Sequence, residues 1–419
     1  MALKNPIIIN KWNNGLGALG KLESSKFQTL ENVEVHDEIG IIKPQYALTS
    51  ESTTPSGPCF SAIVPSGDVY YVSKTSGSIW KRTTAGVYSL AHTNVNTSHT
   101  GARYFNGYLW YWTATKLGRF DLSSTWTDSY ATGTEFSHGI EANNALLIGN
   151  NRYVARVDST NTFSAQEFVC PAQFKVTCLQ NIGDDVLIGT KISDDVSYCK
   201  VFLWNTVSPS WTYEDEVFEA GVNCFLQMDN DYLAQCGVNG NFYYWTGARM
   251  SFFGEIRGIT TASNHQMSCT YKRRPLFANG TKIYSIFKRA NGLPMGIVCE
   301  YTASGTITSI DVQGQTLLVH YSTGVDKTTT TYGTATIITH EIDTQVSNIT
   351  IQYDSYPTGV ALYTSINGGA YTLKTTQIDT VRKRITLENG IGDGDTCTIK
   401  VVLTPNGANR PAIKSMIVF

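Results

Sequence analysis

The chain has 419 residues, a net charge of −2, and only 16% charged residues. That length exceeds one ordinary domain and suits two or three, and the near-neutral balance without a basic stripe excludes a protein that grips nucleic acid through its phosphates. A hydrophobic fraction of 42% allows a large core, while 23 tyrosines and 36 glycines favour half-buried pleated surface and tight turns, so the composition indicates an all-β chain.

Residues 1–56 have no closed periodicity. Trp12, Phe27 and Leu30 are apolar, and Gly15 and Gly17 allow a tight bend beside Trp12. The segment is too apolar for a free tail and too irregular for a core of its own. It is predicted to be an extended arm lying on the propeller or on an adjacent subunit. Trp12, Gly15, Gly17, Phe27 and Leu30 are then its candidate assembly residues. The apolar run at 7–9 is too short for an export signal, and no stretch approaches the length of a membrane helix, so no membrane span is expected.

From residue 57 a pattern repeats. A polar turn precedes a short apolar strand at Val69, Tyr108, Leu146, Val186, Tyr232, Leu276 and Leu317. The interval is roughly 40 residues, the length of a four-stranded propeller blade. A second strand often follows, as in Ser78-Ile79-Trp80-Lys81 and Phe242-Tyr243-Tyr244-Trp245. Residues 57–340 are therefore predicted to form a β-propeller of seven blades. Six is the other count the spacing allows, because the last two units are the least regular. Two stacked β-sandwiches are the competing architecture. After the threonine run 328–331 the alternation becomes cleaner, and residues 341–419 are predicted to form a separate C-terminal β-sandwich.

The chemistry sought in this pattern is sparse. Asp184-Asp185, Asp194-Asp195 and Asp229-Asn230-Asp231 are paired acids suited to hydrolysis, but each sits in a predicted turn, where Asp and Asn serve the backbone. The seven histidines are scattered, with no close ligand pair. His92 and His99 flank one polar loop. Gly392-Asp393-Gly394-Asp395 lacks the closing acid of a calcium loop. Gly15-Leu16-Gly17-Ala18-Leu19-Gly20 matches a dinucleotide pattern without its βα setting. Lys272-Arg273-Arg274 and Arg382-Lys383-Arg384 read as strand ends. Trp110, Trp112, Trp126, Trp204, Trp211 and Trp245 suit blade cores better than glycan stacking. The nine cysteines are irregularly spaced with no CxxC, and they read as buried thiols of a chain folded in a reducing cytoplasm. No catalytic residue, metal or cofactor is expected.

The N-terminal segment carries a resemblance. Asn10-Lys11-Trp12-Asn13-Asn14-Gly15-Leu16-Gly17, then Phe27-Gln28-Thr29-Leu30-Glu31-Asn32-Val33-Glu34-Val35, then Gly40-Ile41-Ile42-Lys43-Pro44 is similar to the opening of many tailed-phage virion proteins. The end, Arg410-Pro411-Ala412-Ile413-Lys414-Ser415-Met416-Ile417-Val418, resembles their terminal β-domain. The resemblance implies a non-enzymatic structural protein of the virion, made in the host cytoplasm. It would sit at the tail nozzle or hub, or at the head–tail connection. Its partners would be copies of itself in a ring and other virion proteins, with DNA passing without specific contact. A receptor- or glycan-binding tail protein and a propeller glycosidase are the alternatives.

Overall fold

The structure is a computed structural model that describes residues 7–9, 27–35, 41–192, 197–228, 230–287, 296–342, 348–374, 382–386 and 396–418. Trp12, Gly15 and Gly17 lie outside the described residues, as do Asp194, Asp195, Asp229 and 392–395. The described regular elements are strands, apart from one 3-10 turn at Pro357–Gly359. The chain divides into two compact units, one of Met1–Thr49, Lys282–Thr302 and Thr328–Phe419, the other of Ser50–Thr281 and Ala303–Lys327.

The second unit is a β-propeller. The seven repeat strands are Val69–Ser73, Tyr108–Thr113, Ala145–Asn150, Asp185–Ile192, Asp231–Cys236, Arg274–Asn279 and Thr316–Tyr321, the second strands of successive blades. Each pairs antiparallel with the strand before it: Cys59–Ile63, His99–Phe105, Phe136–Ala142, Phe174–Ile182, Val222–Met228, Ser268–Tyr271 and Ile307–Gln313. These seven inner strands stand side by side in a closed ring, with Ile307–Gln313 next to Cys59–Ile63. Seven blades is therefore the count. The seventh takes its outermost strand, Tyr46–Ser52, from the N-terminal side of the chain, beyond Gly324–Tyr332. The propeller thus begins before residue 57.

Both faces of each blade meet a neighbour, which explains the near-continuous apolar runs of the second strands. Tyr108–Thr113 is half-buried at Tyr108 and buried at every other position. Trp110, Trp112, Trp204 and Trp245 are core residues. Trp112 lies between glycines: a Cβ on Gly101 or Gly139 would come within 2.5 Å of its ring. Hydroxyls at the start of the inner strands tie blade to blade. Thr100, Ser137 and Thr177 donate to the carbonyls of Phe136, Val176 and Val222 in the following blades, at 2.9, 3.0 and 2.5 Å.

The first unit corrects the expectation of an extended arm laid on the propeller or on an adjacent subunit. Ile7–Ile9 pairs with Ala412–Val418. Phe27–Glu31 runs antiparallel to Ala335–Thr339 and parallel to Gly296–Thr302. The sheet continues through Cys397–Leu403 and Val360–Ile366 to Thr372–Leu373, while Asn348–Ser355 joins Ala412–Val418 to Arg382–Thr386 in a second sheet. Phe27 and Leu30 are 1% and 0% exposed and share one core with Ile337, Leu362, Ile399 and Met416. Neither is available to an adjacent subunit. Residues 1–56 and 341–419 are therefore not two domains. The strands 27–31 and 335–339 pair because each offers one apolar face that neither can bury alone.

Candidate site in the propeller channel

The inner strands enclose a cavity of about 520 Å³. Loop 256–267, which enters the sixth blade, closes one end. The His265 ring stacks on Phe60 of the first blade at 4.9 Å and on His138 of the third at 4.4 Å, so this loop of the sixth blade reaches two other blades of the ring. Gln266 fixes the loop with both ends of its amide. Its Oε1 accepts the Ser61 N–H at 2.7 Å, and its Nε2 donates to the Ser61 carbonyl at 2.9 Å. The backbone carbonyl of Gln266 accepts the Ile310 N–H at 2.9 Å. Gln266 thereby joins the first blade, through its side chain, to the seventh, through its backbone. Gln266→Ala is expected to cost about 1–3 kcal/mol, since it strands partly buried backbone groups; the urea midpoint of tryptophan fluorescence checks this.

The stacked histidines are neutral. Burial, together with His265 and Arg103, holds His138 well below the usual imidazole range. Burial and Lys74 push His265 down to about 3. His138 Nδ1 accepts the Leu179 N–H at 3.0 Å, which leaves the proton on Nε2. Asp311 accepts from Ser61 Oγ at 3.1 Å and from the Val312 N–H at 2.8 Å. Burial still raises its carboxyl above the ordinary range, against the pull of the Val312 N–H, Arg103 and Ser61.

The other end is open and polar. Arg103, Glu141, Gln227 and Thr270 are exposed there, with Tyr104, Gln180 and Asn181 half-buried beside them. All lie within the last three residues of their inner strands. Sequence reasoning did not single out any of them, nor Gln266 or Asp311. The residues it did weigh go elsewhere. Asp184 is exposed in the hairpin turn of the fourth blade, half-buried Asp185 starts the strand after it, and Asp231 accepts the Tyr244 hydroxyl at 2.6 Å. His92 bonds Asp128 at 2.8 Å and stacks on Trp126, while His99 bonds Asn94 and the Ser73 carbonyl. Among the described residues no group of His, Cys, Asp and Glu is arranged to hold a metal ion. The nine cysteines are free thiols.

No known family profile and no curated protein matches the chain. Solved structures do. A streptogramin B lyase is 11% identical with a TM-score of 0.51, over 67% of this chain and 97% of that one. A catalytically inactive virginiamycin B lyase from Staphylococcus aureus, solved with quinupristin, is 11% identical with a TM-score of 0.51, over 68% and 98%. A chain of a mitotic checkpoint complex is 13% identical with a TM-score of 0.50, over 68% and 95%. Similarity at these identities shows the β-propeller fold and leaves the chemistry open.

Proposed function

We propose that the chain is a structural, non-catalytic component of a tailed-phage virion, at the tail nozzle or hub or at the head–tail connection. It would assemble in a ring with copies of itself and bind other virion proteins. The observation that carries this reading is the use made of the segments bearing the resemblance. Strands at 27–31, 33–34 and 43–44 and the last strand of the chain build one folded unit, so the resembled opening and ending act together. A second feature supports assembly. Phe218 and Phe252 are 77% and 61% exposed, one following and one within the outermost strands of neighbouring blades. Large exposed apolar side chains of this kind are ones that contact with another chain would bury.

Two measurements test the proposal: sedimentation of the purified chain, and cryo-electron microscopy of particles of the phage that encodes it. A defined ring in solution and density for the propeller in the particle are expected, with Phe218→Asp weakening the ring. A monomer at high concentration, together with particles lacking the chain, would overturn the reading.

A further inference from the structure

We infer that the open end of the propeller channel is a binding site for a hydroxyl-rich acid, of the class of sugar carboxylates. Three observations lead there, none of which depends on where the chain is installed.

The first is Arg103. Its guanidinium lines the cavity and has no hydrogen-bond or ion-pair partner among the described residues, although Glu141 and Asp311 line the same space. A fork of five N–H donors left open in a concave wall matches a carboxylate in two-point contact. The second is the set of acceptors around it. Asn181 Oδ1 is buried without a hydrogen-bond partner, and Glu141 makes no bond to another described side chain. The Asn181 oxygen needs a donor and the exposed Glu141 carboxylate can accept one; sugar hydroxyls supply donors and a bare inorganic anion does not. The cavity of about 520 Å³ is in the range of small-molecule sites.

The third observation is a strained turn at this end of the channel. The two-residue hairpins after the inner strands require left-handed backbone, which Asn106-Gly107 and Asn143-Asn144 adopt readily. The sixth blade places Lys272 and Arg273 in that position, at φ of 49° and 63°. Both residue types resist this conformation. Thr270, two residues earlier, lines the cavity, so this turn follows directly on the cavity wall. Backbone strain kept beside that wall, with basic side chains as its result, fits an acidic ligand.

Titration calorimetry on the full chain tests the inference, with D-glucuronate as probe and D-glucose and sulfate as controls. Glucuronate is expected to bind about tenfold more tightly than either control, and Arg103→Gln to weaken it by about tenfold while leaving the melting curve unchanged. Replacing Lys272 by Asn and Arg273 by Gly should weaken glucuronate and raise the melting temperature together. Equal affinity for sulfate, undiminished binding in Arg103→Gln, or no binding of glucuronate would each overturn the assignment.

Discussion

Glu51→Ala is expected to destabilise the propeller by about 3–5 kcal/mol, the range for removing one partner of a buried ion pair. Glu51 lies on the N-terminal strand that completes the seventh blade, and its side chain is 6% exposed. Arg82 of the first blade reaches it with Nη2 at 2.6 Å and Nε at 2.8 Å. Lys327, on the third strand of the seventh blade, donates at 2.8 Å, and the Tyr88 hydroxyl at 2.9 Å. Arg82 also bonds Gln313, which bonds the Gly67 carbonyl. This carboxylate sits where the ring of blades must close, and removing it leaves a buried guanidinium uncompensated. Seven of the eight tryptophans lie in the propeller, so urea unfolding followed by tryptophan fluorescence reads this transition. The acid limb supplies a second test. Burial acts to raise the Glu51 carboxyl, yet the bonds from Arg82, Lys327 and Tyr88 outweigh it and hold it below the ordinary range. A carboxyl lowered in the folded state contributes stability that is fully present above its unfolded value of about 4.3 and is lost as the pH falls through the folded value. The native chain should therefore lose part of its advantage over Glu51→Gln on acidification. An advantage that stays constant from neutral to strongly acidic pH would show that the closure does not depend on this charge.

The blades were legible because each repeats one short instruction, a polar turn followed by four or five apolar residues, and that signal is local. The doubt between six and seven blades arose at the irregular seventh unit, Gln313-Gly314-Gln315, and at the sixth, where the turn departs from Asn and Gly at Lys272-Arg273. The same departure is the one trace of the channel site that the sequence carries. The other channel residues leave no local mark. Arg103, Gln180 and Asp311 lie on strands that carry other polar residues as well, and which side chains face the axis is fixed only when seven inner strands close into a ring. Phe27–Glu31 was misassigned for a related reason. Its partners, Ala335–Thr339 and Gly296–Thr302, lie far along the chain. A five-residue strand between them shows the same apolar residues as a loose arm. Glu51 reads in isolation as a surface acid, and only the meeting of the chain's first propeller strand with its first blade buries it.

Phe27→Ala should destabilise the first unit by about 3–5 kcal/mol, as truncating a fully buried aromatic does. Phe27 is 1% exposed, pairs with Thr339, and packs in the core that holds Ile337, Ile399 and Val401. No described residue of this unit is a tryptophan, so hydrogen exchange of the peptide 397–418 is the measurement. Faster exchange in Cys397–Leu403 and Ala412–Val418, with the tryptophan transition of the propeller unmoved, is the expected result. Beginning the chain near Pro55 has a larger effect. It removes Phe27–Glu31 from the first unit's sheet, and it also removes Tyr46–Ser52, the outermost strand of the seventh blade, together with Glu51. Such a chain should fail to fold in either unit. If it folded with a native melting curve and lost only its assembly, Phe27 and Leu30 would belong to a subunit contact and not to the core that now buries them.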